Sequence, residues 1–160
     1  MADAEFLKSF DRSFRELHER SLRLLASAPE GDLYTKPREL TRTFAMFSFG
    51  EFILRSAAAV EQMSLGLTRK LWDDPFEWTL PESLSTKDAV AEYLAEVEAA
   101  RTECFTFLAD DSVLEKKLPS PEKIRSIFEI LVETLSRADH FQGRAAAVLQ
   151  YFSDEKVVAR

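Results

Sequence analysis

Of the residue types that most often carry metal-assisted or nucleophilic chemistry, this 160-residue chain has two histidines and one cysteine. One histidine, His140, lies in the stretch SRADHFQGR at residues 136–144. A metal site between helices needs imidazoles or carboxylates at i, i+3 or i+4, so that two ligands share a face. No second histidine lies one turn from His140, because Ser136, Arg137 and Arg144 occupy the positions where it would stand. His18 is flanked by Phe14, Ser21 and Leu25 and reads as a partly buried histidine with a hydrogen bond. Cys104 falls on an apolar stripe with no histidine beside it in sequence, which describes an inert buried thiol better than a nucleophile. No glycine-rich phosphate loop, nucleophile elbow or CxxC pair occurs.

Helices must position these groups, because apolar residues recur by threes and fours in four segments. The first carries Leu7, Phe10, Phe14, Leu17, Leu24 and Ala28, with Ser21 in the polar slot, and stops before Pro29. The second starts at Ser48, where Ser48 and Glu51 form a capping box, and runs through Phe49, Ile53, Ser56, Val60, Met63, Leu67 and Leu71. A third begins after Ser85 as N-cap, with Val90, Leu94, Val97, Cys104 and Leu108. The fourth is predicted to begin at Ser120 and Pro121 and carries Ile124, Ile127, Leu131, Leu135, Ala138, Phe141, Ala145, Val148 and Phe152. No segment alternates as a half-buried strand. The pattern predicts an all-α four-helix bundle with long connections, forming one domain over residues 1–160. Residues 29–47 make a first connection longer than a turn between neighbours. The second, DDPFEWTLPESL, carries Phe76 and Trp78, which should cover something apolar, and the tail SDEKVVAR is expected to fray.

Composition narrows the partners. A net charge of −7, from 28 acidic and 21 basic residues without a basic cluster, argues against nucleic acid. No stretch reaches about 18 consecutive apolar residues, so no membrane span is expected. The start MADAEFLKSF lacks the pattern of a signal peptide, and the single cysteine permits no internal disulfide. These features predict a cytoplasmic protein.

The order of three motifs resembles the DinB-like and YfiT-like four-helix-bundle proteins. SFGEFILRSAAAVEQ is similar to that family's Ser-x-Gly-Glu-Leu-Leu-x-His-x-x-x-x-Glu stretch, PFEWTLPESLSTKDAVAEYL to its connection into the third helix, and HFQGRAAAVLQYF to its His-Arg-Gly-Gln run. The resemblance covers most of the chain. It implies homodimers and a divalent metal, zinc or nickel, held by three histidines. Those positions correspond here to Arg55, Arg137 and Phe141. His140 is then offset by one residue, about 100° around the helix.

None of the three can replace histidine. Guanidinium keeps its charge and has no lone pair to donate, and phenylalanine has no donor atom. The resemblance therefore implies a degenerate metal site, with no cofactor predicted. Phe141 should fill the cavity, and at least one arginine should form a carboxylate bridge with Glu51, Glu61, Glu133 or Asp139. Three functions stand side by side. The first is a non-catalytic bundle that binds a small molecule or protein. In the second, Arg55 and Arg137 clamp a small anionic ligand. The third is a divergent metal-dependent hydrolase or thiol-dependent transferase, with zinc or nickel on displaced ligands His140, Glu51 and Glu61.

Overall fold

All four apolar stripes become helices in the computed structural model, which describes residues 3–37 and 47–152. α1 (Glu5–Ser27) buries Leu7, Phe14, Leu17 and Leu24, with Ser21 buried among them as expected. α2 (Phe49–Arg69) buries Ile53, Ser56, Val60, Met63 and Leu67, and α3 (Lys87–Leu108) buries Val90, Leu94, Val97 and Cys104. α4 (Ile127–Leu149) closes the bundle with Leu131, Ala138, Ala145 and Val148. The protein is an all-α four-helix bundle.

α2 packs most extensively on α4 and then on α3, while α1 packs on α3 and α4. α1 therefore faces α2 across the bundle, and a diagonal step of this kind needs a longer connection than a turn between neighbours. Tyr34, from the described part of that connection, donates its hydroxyl to the Leu84 carbonyl at 2.5 Å and braces one connection against the other.

The ends of α1 are satisfied by distant residues. Ala4 offers no side-chain cap, and the Asp111 carboxylate accepts instead from the amides of Phe6 (3.0 Å) and Leu7 (2.9 Å). At the other end Lys87 Nζ donates to the carbonyls of Ala26 (3.1 Å) and Ala28 (2.8 Å). An anion at the start and a cation at the end both complement the helix dipole.

Three boundaries differ from expectation. The capping box at Ser48 forms as read, with Glu51 reciprocating, but α3 is capped by Thr86 rather than Ser85. α4 starts six residues' worth of chain beyond Ser120 and Pro121, at Ser126, whose hydroxyl accepts from Glu129 N at 3.1 Å. The intervening residues form an antiparallel hairpin, β1 (Lys117–Ser120) with β2 (Lys123–Ser126), pairing Ser120 with Lys123 and Lys117 with Ser126. The physical reason is the capping chemistry: Ser126 has a glutamate at N3, whereas the residue three after Ser120 is Lys123, which cannot accept from the cap backbone. Ile124, expected on a buried stripe, is exposed on the hairpin in consequence. The third difference is the end of α2, which stops at Arg69 with a left-handed C-cap at Lys70 and so leaves Leu71, also expected on a buried stripe, exposed beyond it. The expected fraying of residues 153–160 lies outside the described residues.

Candidate functional site

The two arginines and the phenylalanine at the motif positions converge on one pocket. It measures about 200 Å³ and lies between α2, α4 and the short 3-10 turn Pro75–Glu77. Arg55, Arg137 and Phe141 line it, with Gln62, Asp74 and Phe76. Residues 55, 58, 59 and 62 follow the i, i+3, i+4, i+7 rule and present one face of α2 to it. Phe141 therefore walls the cavity instead of filling it, because its ring lies against Phe52, with centroids 6.4 Å apart.

Arg55 is held by aromatic rings. Its guanidinium carbon sits 4.2 Å from the Phe47 ring centre and 3.9 Å from that of Phe76. Such contacts favour the cation and leave its in-plane N–H groups directed sideways. Among the described residues Arg55 has no carboxylate partner, and its Nε is buried without a hydrogen bond. Phe76 packs against the apolar core as expected and also covers the Arg55 guanidinium, whereas Trp78 is left 49% exposed.

Arg137 stands at the pocket mouth, exposed, donating from Nη2 to Gln62 Oε1 at 3.3 Å. The Gln62 amide is oriented from its other end, where Nε2 donates to the Trp72 carbonyl at 2.8 Å. Asp74 spends Oδ1 on the Phe76 amide, 3.0 Å away, as N-cap of the Pro75–Glu77 turn.

The expected carboxylate bridge to Arg55 or Arg137 is not formed among the described residues, since each candidate acid serves another donor. Glu51 Oε2 accepts from Ser48 N and Ser48 Oγ, both at 2.8 Å, so the capping box takes it from Arg55. Glu61 points to another face of α2, where Tyr93 donates its hydroxyl at 2.6 Å; burial raises the Glu61 pKa and the tyrosine hydrogen bond partly offsets this. Glu133 pairs with Arg125 and with Lys123 (3.4 Å), both supplied by the hairpin. Asp139 pairs with Arg20 of α1 at 2.8 Å.

The remaining candidates are also accounted for. His140 is exposed and its Nε2 accepts from Arg144 Nε at 2.9 Å, so it does not join Glu51 and Glu61 in a ligand set. Among the described residues no group of three His, Cys, Asp or Glu side chains is placed to hold a metal ion. His18 is partly buried on the flank of α1. Cys104 is fully buried, and burial pushes its thiol up to about 12 against the lowering effect of Arg101.

Residue-type reasoning missed Gln62, Trp72 and Asp74. Gln62 was findable, since it stands two turns after Arg55 on the same face. Trp72 and Asp74 lie in irregular chain, where no periodicity marks them.

No protein-family model matches the chain, and no curated protein matches it. Among the described residues no helix is long and apolar enough to cross a membrane.

Proposed function

We propose that this chain is a DinB-like bundle in which the family's metal position has become an anion-binding pocket, with Arg55 as the inner ligand and Arg137 as the outer one. One observation carries the reading: Arg55 is clamped between Phe47 and Phe76 while its buried Nε lacks an acceptor among the described residues. An unsatisfied buried donor costs about 1–3 kcal/mol, and more when charged. A carboxylate or phosphate oxygen in the pocket would remove that cost with a charge-assisted hydrogen bond. Two guanidiniums against one carboxylate, that of Asp74, leave the lining net positive.

The residues do not fit a divalent metal, since none of the three at the motif positions carries a lone-pair donor. The displaced-ligand alternative, a hydrolase or transferase built around His140, has less to support it, because the His140 lone pair faces Arg144 and the glutamates serve Ser48 and Tyr93. A specific observation favours a purely structural second reading: the two ring contacts would let Arg55 pin the Pro75–Glu77 turn with no ligand at all. Homodimerisation and a cytoplasmic location belong to the same proposal, and sedimentation of the untagged chain tests the first.

Titration of the protein with acetate and with inorganic phosphate, followed through the arginine Nε–Hε resonances, separates the two readings. A saturable shift at Arg55, absent in Arg55→Gln, supports anion binding. An Arg55 signal indifferent to both anions, at matched ionic strength, leaves the structural pin.

A further inference from the structure

The pocket beside Arg55 is small for a ligand site. Pockets that enclose small molecules usually measure about 300–1,000 Å³, and this one, at about 200 Å³, takes little more than a head group. It does not end there. A second pocket of about 390 Å³ adjoins it beneath the β-hairpin, and Gln62 and Arg137 line both.

The second pocket has a different chemistry. Trp72 and Pro121, with the almost wholly buried Met63 and Ile130, give it one apolar side within a lining that is polar for the larger part. Arg125 and Lys123 are both engaged by Glu133, Glu122 supplies a second carboxylate, and Arg125 Nε also donates to Ser120 Oγ at 2.7 Å. The cation it retains is Arg137, at the junction. One face of the Trp72 ring is seated on Gly66, where an added Cβ would come within 2.3 Å of the ring. Gly66 thus fixes the indole as a flat wall. Gln62 couples the two compartments, because its anchor on the Trp72 carbonyl turns Oε1 toward Arg137.

Resting on the anion-binding reading, we propose that the ligand is an extended monoanion: one carboxylate or phosphate head between Arg55 and Arg137, joined to an uncharged, flat apolar body that runs past Gln62 and lies along Trp72 under the hairpin. The placement of the unengaged cations carries this. Arg137, shared by both compartments, is the excess cation of each; the head compartment adds Arg55, whose Nε has no acceptor among the described residues, whereas the body compartment's own cations are engaged by Glu133. A second anionic group would meet Glu133 and Glu122, and a cationic body would meet Lys123 and Arg125. Gln62 is a positioning residue, acting on the ligand through Arg137.

The test is a series of arylalkanoates of increasing chain length, from 3-phenylpropionate to 6-phenylhexanoate, compared with acetate and with the matching uncharged amides. Binding is read by calorimetry and by the Arg55 Nε–Hε shift in the unmodified protein. Burial of a phenyl ring should make the longer acids at least about tenfold tighter than acetate, with nuclear Overhauser contacts from the phenyl protons to the Trp72 indole. Trp72→Ala should bring the affinity ratio of the longer acids to acetate down toward one. The contacts to Trp72 in the unmodified chain keep the proposal testable if that variant does not fold. Acetate binding without any gain on lengthening, or ring contacts elsewhere, would overturn the extended-ligand proposal and spare the anion site. Amides that bind as tightly as the acids would overturn it too. Failure of every acid, acetate included, to move Arg55 would sink both.

Discussion

Two arginines in this bundle are removed from water in different ways, and exchanging each for methionine should separate folding from binding. Arg101 is 2% exposed and bridges α3 to α1: Nη1 meets Asp11 at 2.5 Å, while Nε and Nη2 meet Glu98 at 2.9 and 2.7 Å. Removing one partner of a buried ion pair costs about 3–5 kcal/mol, because the remaining charge stays uncompensated. Asp11 and Glu98 keep side-chain exposures of 27% and 23%, so water recovers part of the loss. Arg101→Met should therefore fall at the low end, about 3 kcal/mol. At about 2–4 °C per kcal/mol for a chain of this size, Tm drops by roughly 6–12 °C.

Arg55→Met has a different balance. It loses two cation–π contacts of about 0.5–1 kcal/mol each and removes a buried donor that itself costs about 1–3 kcal/mol. These oppose each other, so stability should change by less than about 1 kcal/mol. Anion binding should instead fall by about 10–100-fold, the equivalent of a charge-assisted hydrogen bond of about 1.5–3 kcal/mol. Thermal unfolding with and without acetate, at matched ionic strength, measures both effects, since a ligand that binds only the folded state raises Tm. The parent and Arg101→Met should keep the acetate-dependent rise and Arg55→Met should lose it. Equal destabilisation by both variants, or an undiminished acetate effect in Arg55→Met, would refute the assignment of Arg55 to a ligand.

Four further outcomes are expected. Gly66→Ala should force the Trp72 ring away, since the new Cβ would lie 2.3 Å from it; indole fluorescence should shift and long arylalkanoates should lose their advantage over acetate. Glu61→Gln should be more stable than the parent at neutral pH, because burial raises the folded-state pKa of Glu61. The contribution of the protonated acid is present at low pH and lost as pH rises through that raised value, so urea titrations should converge below the ordinary glutamate range. Cys104 should resist thiol reagents in the native state and react on unfolding, as a thiol pushed up to about 12 by burial holds little thiolate at neutral pH. Asp111→Ala should lower stability by about 1 kcal/mol by uncapping α1 at Phe6 and Leu7, measurable by urea unfolding.

Periodicity made the bundle legible because each helix buries one stripe, and stripes survive in sequence as spacing. Ser48 and Glu51 were legible for a related reason: a capping box is a local rule, completed within four residues. The same rule, applied at Ser126 and Glu129, would have placed the start of α4 and exposed the hairpin before it. A proline that suits a first helical turn also suits the first central position of a type I or II turn, and the glutamate at N3 is what separates the two cases. The candidate site was half legible. Arg55, Arg137 and Phe141 do meet around one pocket, but the assumption that a buried guanidinium must find a carboxylate assigned partners by helix spacing alone. Spacing cannot register competition from another element: Glu133 stands four residues before Arg137, yet the hairpin brings Arg125 and Lys123 to it first. Nor does it register that a guanidinium can be held by ring faces instead of a carboxylate. Phe47 and Phe76 flank Arg55 from outside α2, where no helical repeat links them to it. A cation–π contact attracts the guanidinium without neutralising it and leaves Nε unspent, whereas a salt bridge consumes the N–H groups. That difference is why Arg101 reads as part of the scaffold and Arg55 as a donor awaiting its acceptor.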